Sequence, residues 1–112
     1  MRPTYHLVPV EVWAVAGDVD PYAPASLATE GFIHCTDGVG PLAVTFDRYY
    51  AADARPFLAL TIDLDALTVS WRYDVPGSPY PHVYGPIASS AIIAVERVRR
   101  SPDGRFAGLD PV

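Results

Sequence analysis

The sequence predicts one α+β domain with two or three short helices and a largely antiparallel or mixed sheet. Three observations lead to it. The chain has 112 residues, the length of one domain and not of two, so residues 1–112 are taken as a single unit. Half of its residues are hydrophobic and 19% are charged, the balance of a chain that buries a core rather than staying disordered. Segments with helical spacing fall early, and short β-rich runs fall mostly late.

Residues 4–8 (TYHLV) are rich in β-formers and read as the first strand. Pro9 suits a first helical position; Val10, Val12, Trp13 and Ala16 follow at partly helical spacing, and Gly17 ends the helix. Residues 18–24 are a loop rich in Pro and Asp. Residues 25–30 form one helical turn closed by Gly31, and residues 32–35 are a compact apolar strand. Residues 36–40 turn, and Pro41 opens the clearest helix, where Leu42, Phe46, Tyr49 and Tyr50 recur on one face at three- and four-residue intervals. Residues 57–62 (FLALTI) are a short, nearly all-apolar strand of the buried type. Residues 63–67 are a turn or helical stub, and residues 68–73 alternate as a half-buried strand. A Pro/Gly loop covers residues 74–81, and residues 82–84 are a brief extended piece stopped by Gly85 and Pro86. Residues 92–98 are the last strand expected, and residues 101–112 are expected to be an irregular C-terminal tail.

The net charge of −5 argues against general nucleic-acid binding, which needs a basic face to replace counterions on phosphates. No apolar run reaches the ~18–20 residues of a membrane span. The opening MRPTYHLVPVEV lacks the continuous apolar stretch and small-residue cleavage site of a signal peptide, so a cytoplasmic location is the default expectation. One cysteine excludes an internal disulfide and a cysteine-based zinc site. All eight basic side chains are Arg, and Lys, Asn and Gln are absent. That is what a GC-rich coding sequence produces, and it leaves His, Arg, acids, hydroxyls and backbone to do any chemistry.

The histidines are His6, His34 and His82, each in or beside an expected strand. None stands at metal-ligand spacing from another, so no metal is expected. Three imidazoles each satisfied locally is the simpler account of them; three strands bringing them to one cleft is the functional one. Cys35 invites a Cys–His hydrolase, but consecutive strand residues point to opposite faces, which separates it from His34 and leaves it as a small buried hydrophobe. The run Pro81-His82-Val83-Tyr84-Gly85-Pro86 combines rigidity, an imidazole and a phenol, and fits a place where backbone approaches a ligand closely, or else a tight turn with an aromatic plug. Asp18 with Asp20, and Asp63 with Asp65, lack the glycine spacing of a calcium loop and read as solvated loop acids. Neither a glycine-rich phosphate loop nor a Gly-x-Ser-x-Gly elbow is present.

Tyr5-His6, Tyr22, Ser26-Leu27, Gly31-Phe32-Ile33-His34-Cys35-Thr36 and Pro81-His82-Val83-Tyr84-Gly85-Pro86 together resemble the bacterial family named domain of unknown function 952, from about Thr4 to Arg99. That family is similar, by remote fold relationship, to the ADP-ribosyltransferases. The resemblance implies a split, bent, ADP-ribosyltransferase-like sheet with a cleft for an NAD-type nucleotide. It implies His6, His34 and His82 as catalytic residues, and Tyr22, Ser26, Thr36, Arg48, Arg72 and Tyr84 as ligand contacts. Arg48 or Arg72 would hold ribose or phosphate by a planar fork, and Tyr84 or Tyr22 would stack on a base. His82 would be the acid/base, because an unperturbed imidazole titrates near ~6.5. After the fourth strand, where the family often has an acid, this chain reads Trp71-Arg72-Tyr73. The expected lack of a late acid keeps a non-catalytic ligand-binding or interaction domain as the alternative.

Overall fold

The computed structural model describes residues 1–17 and 19–112. The chain folds as an α+β domain in which two antiparallel sheets and a helix form layers. The larger sheet has four strands in the order β1 (Pro3–Pro9), β3 (Phe57–Asp63), β6 (Ile92–Arg100) and β7 (Phe106–Pro111). The smaller has the order β2 (Ile33–His34), β5 (Pro81–Val83) and β4 (Trp71–Tyr73). All strand pairs are antiparallel, so no mixed pairing occurs among the described residues. The sheets meet at one bridge, where the backbone N–H and C=O of Tyr5 pair with those of Thr36 at 2.8 Å.

β3 explains the layering. Its residues 57–60 are all buried, which alternation over one buried face cannot give. Phe57 and Ala59 face α3 (Val39–Tyr50), with Leu42, Phe46 and Val98. Leu58, Leu60 and Ile62 face the other way, into a cluster with Ile33, Val83 and Ile87 from the side of the smaller sheet. Both faces of the larger sheet are covered, and its central strand is apolar on both.

Helix α1 (Val10–Ala16) follows directly from β1, with Pro9 as its N-cap residue rather than its first helical residue. Helix α2 (Ala25–Glu30) ends at Gly31, whose φ of 86° is the left-handed conformation that favours glycine. α3 begins two residues before Pro41, which lies in the first turn where its missing N–H costs nothing. Leu42 and Phe46 are buried and Tyr50 is half-buried, but Tyr49 is 67% exposed. Tyr49 lies outside the apolar face that spacing assigned it to, and lines instead the cavities described below.

The tail expected at residues 101–112 is instead strand β7, paired along β6 from Glu96↔Pro111 to Arg100↔Phe106. Gly and Pro in FAGLDP mask the β signal; the pairing is sustained by Phe106 and Leu109 packing on the α3 cluster and by Asp47 on α3 accepting the Phe106 N–H at 2.7 Å. The fourth strand is shorter than residues 68–73, keeping only Trp71–Tyr73. No helix among the described residues is long and apolar enough to cross a membrane.

Candidate functional site

The register of the smaller sheet builds the site. Ile33 pairs with Val83 and Val83 with Trp71, while His34 pairs with His82 and His82 with Arg72. Because side chains alternate across a strand, the first row turns to the core and the second to the outer face. Ile33 and Val83 are accordingly fully buried. Two candidate histidines, expected from separate motifs, are thus direct cross-strand neighbours with ring centroids 5.7 Å apart.

His82 is held on three sides. Its Nδ1 donates to Asp74 Oδ2 at 2.6 Å, and its ring stacks on Phe32 at 4.0 Å with 18° between planes. Tyr84, two residues on and on the same face, donates its hydroxyl to the same Asp74 oxygen. Arg72 Nε donates to Asp74 Oδ1 at 2.7 Å, and its guanidinium lies 4.1 Å from the Tyr84 ring centroid. The Tyr84 hydroxyl, then Arg72, then His82 hold the Asp74 carboxyl well below the usual carboxylate range. A permanent carboxylate on Nδ1 fixes the tautomer, leaving Nε2 as the basic nitrogen. His34 Nε2 lies 3.0 Å from Glu30 Oε2, four residues back on α2, and so donates to it.

His6 is different. It is 7% exposed on β1. Nδ1 lies 2.8 Å from the His34 carbonyl oxygen and must donate, so Nε2 accepts from the Tyr22 hydroxyl, also at 2.8 Å. Burial pushes the imidazole down to about 4. Both nitrogens are spent on the fold, so the geometry gives His6 a bracing role and leaves it no nitrogen for catalysis. Tyr22 is 1% exposed, packed edge-on against Trp13 and His6, and burial pushes its phenol up. It is a core residue without a free face for a base.

Two adjoining cavities lie between the smaller sheet and α3, the larger of them also bordered by β1. The larger, about 530 Å³, includes Tyr5, His6, Tyr22, Ser26, Glu30, His34, Thr36 and Tyr50 in its wall. The smaller, about 220 Å³, is lined by His34, Cys35, Thr36, Val44, Thr45, Arg48, Tyr49, Tyr80 and His82. His34, Thr36, Thr45 and Tyr49 belong to both. The structure therefore brings His6, Tyr22, Ser26, His34 and Thr36 to one cavity, and His34, Thr36, Arg48 and His82 to the next. Arg72 and Tyr84 line neither; they grip Asp74 beside His82 instead of reaching a ligand.

Sequence reasoning missed four contributors. Asp74 is the acid directly after β4, one residue past the Trp71-Arg72-Tyr73 run taken to lack one. The expected absence of an acid is corrected: Asp74 stands at the end of that strand and Glu30 at the cavity. Phe32 and Glu30, at two and four residues from His34, were legible from spacing alone. Thr45 joins Arg48 and Tyr49 on one face of α3 by i, i+3, i+4 spacing. Cys35 is 2% exposed and burial pushes its thiol up, which removes the nucleophile reading. Gly85 is a close-approach glycine, but what approaches is the Val69 side chain, 2.6 Å from where a Cβ would stand, and not a ligand. Asp20 accepts from the Ser89 N–H and hydroxyl, and Asp63 from the Arg2 and Asp65 N–H groups. Asp18 lies outside the described residues. Among the described residues no three His, Cys, Asp or Glu side chains converge as a metal-ligand set.

No curated protein matches the chain. Two crystal structures of protein CC0527 from Caulobacter crescentus, one of a double mutant, are similar to it at TM-score 0.75 and 18% identity, over 94% of this chain and 93% of theirs. The solution NMR structure of CC0527 is similar at TM-score 0.72 and 20% identity, over 95% and 92%. At such identity the likeness is one of fold. The profile of the family described as protein of unknown function (DUF952) matches residues 7–95, which hold β1 from Leu7 onward, the whole smaller sheet, α3 and the Asp74–His82 pair, and the chain belongs to that family.

Proposed function

We propose that the protein is a small transferase-type enzyme acting on a nucleotide-type ligand in the paired cavities, with His82 as its general acid/base. The Asp74–His82 pair carries this reading. A carboxylate fixed on Nδ1, with Phe32 stacked on the ring, preorganises Nε2 to take a proton from an attacking group or return one to a leaving group. Structural histidines such as His6 spend both nitrogens on the fold; His82 spends one and borders a cavity. The larger cavity lies within the ~300–1,000 Å³ of small-molecule sites, and the phenols of Tyr5 and Tyr50 and the apolar Val12 in its wall suit a flat ring. NAD is the ligand that the ADP-ribosyltransferase resemblance implies, and the split sheet with a cleft at β1 is compatible with that relationship.

The test is turnover. Wild-type protein incubated with NAD and with a panel of nucleotides should release nicotinamide or transfer phosphate, as read by chromatography of the products. His82→Ala should abolish that turnover while sparing much of the affinity, because acid/base assistance is realised mainly in the transition state. Binding without any turnover by the wild type would make this a ligand-binding domain. Silence of the whole panel in both calorimetry and thermal shift would remove the nucleotide reading.

A further inference from the structure

We infer that the smaller cavity is a subsite for a terminal phosphate monoester, so that the preferred ligand is a mononucleotide rather than a dinucleotide; this rests on the nucleotide reading above and adds the orientation of the ligand. The walls of the two cavities separate by charge. Every ionisable nitrogen side chain of the smaller one, His34, His82 and Arg48, is cationic or able to become so, and no carboxylate lines it. The carboxylate of Glu30 borders only the larger cavity.

Arg48 has the fork an anion needs. The arginine ion pairs among the described residues engage Arg55, Arg72, Arg99 and Arg105, and not Arg48. Its guanidinium lies 5.5 Å from the ring centroid of Tyr49, which borders both cavities. His34 and His82 stand directly opposite each other on neighbouring strands. Each imidazole already gives one nitrogen to a carboxylate, His34 Nε2 to Glu30 at 3.0 Å and His82 Nδ1 to Asp74 at 2.6 Å, which leaves His82 Nε2 and the Arg48 fork to meet an anion in the smaller cavity.

Size decides between a terminal and an internal phosphate. In a dinucleotide the diphosphate lies in the middle, with a nucleoside at each end, and needs two lobes of comparable volume. Here one lobe is about 530 Å³ and the other about 220 Å³. The second falls below the ~300 Å³ at which small-molecule pockets begin. It is less than half the larger lobe, and with its cationic lining it suits the phosphate end of the ligand better than a second base.

Calorimetric titration at fixed salt tests this with adenosine 5′-monophosphate, adenosine, nicotinamide mononucleotide, nicotinamide riboside, NAD and inorganic phosphate. Each monophosphate should bind at least ~10-fold more tightly than its nucleoside, a difference of about 1.4 kcal/mol. NAD should bind no more tightly than the monophosphates, and inorganic phosphate alone only weakly. Arg48→Met should remove the monophosphate advantage and leave nucleoside affinity unchanged, and Arg48→Lys should restore part of it, with circular dichroism confirming the fold of both. Equal affinity for nucleoside and monophosphate, or NAD binding tightest of all, would overturn the subsite while leaving the nucleotide reading in place. No binding by any nucleoside or nucleotide would overturn both.

Discussion

Asp74 and His82 are joined Oδ2 to Nδ1 at 2.6 Å, although one follows β4 and the other lies within β5. The antiparallel register that pairs Arg72 with His82 also brings Asp74 to the imidazole. Arg72, Tyr84 and His82 then share a single carboxylate, and Phe32 covers the imidazole.

Replacing that carboxylate tests its role. Asp74→Asn should lower turnover on the order of 10²–10⁴-fold, the range of general acid/base assistance, with the Michaelis constant little changed. The pH profile should change with it, since the amide can no longer hold the imidazolium. A uniform loss of turnover and affinity with an unchanged pH profile would make Asp74 a structural residue only.

Stability should depend on pH through His6. Its imidazole is lowered from 6.5 to about 4 by burial, so the unfolded chain takes up a proton between those values that the native ring refuses. The contribution of His6 is complete above pH 6.5 and declines as pH falls towards 4, by on the order of 3 kcal/mol across the window. Denaturant melts at pH 7.5 and pH 5 should show the loss. The double variant His6→Phe/Tyr22→Phe, which removes both partners of the buried hydrogen bond, should flatten the slope. Equal wild-type stability at the two pH values would contradict a neutral, buried His6.

Gly85→Ala should destabilise by roughly 1–3 kcal/mol, the scale of an overpacked core. The new Cβ would stand 2.6 Å and 2.8 Å from Val69 Cγ1 and Cβ, atoms of a short branched side chain that cannot swing away. Thermal melts should show Val69→Ala recovering part of the loss in the double variant. A double variant no better than additive would place the strain elsewhere.

Cys35→Ala should cost about 1 kcal/mol, the scale of one deleted core atom, and leave turnover nearly intact. The native thiol should resist alkylation until denaturant is added, because burial holds it protonated. Rapid modification of the folded protein, or a folded but inactive Cys35→Ala, would restore the nucleophile reading.

The sequence by itself determined the class of fold and most of its elements. Local signals did that: the period of Leu42, Phe46 and Tyr50, the apolar run at β3, and the glycine closing α2 are readable within a few residues. It also determined that the histidines were the residues to follow, and the separation of Cys35 from His34 came from alternation alone. Only the tertiary structure decided what each histidine does. Whether an imidazole has a free nitrogen depends on partners distant in the chain: Tyr22 and the His34 carbonyl for His6, Asp74 for His82. Strand register sets those partners, and register is a non-local quantity, fixed by which faces of two sheets must be buried together. β7 escaped notice for a related reason. Its Gly- and Pro-bearing residues carry little strand propensity, and pairing with β6 and contact with α3 supply what propensity does not.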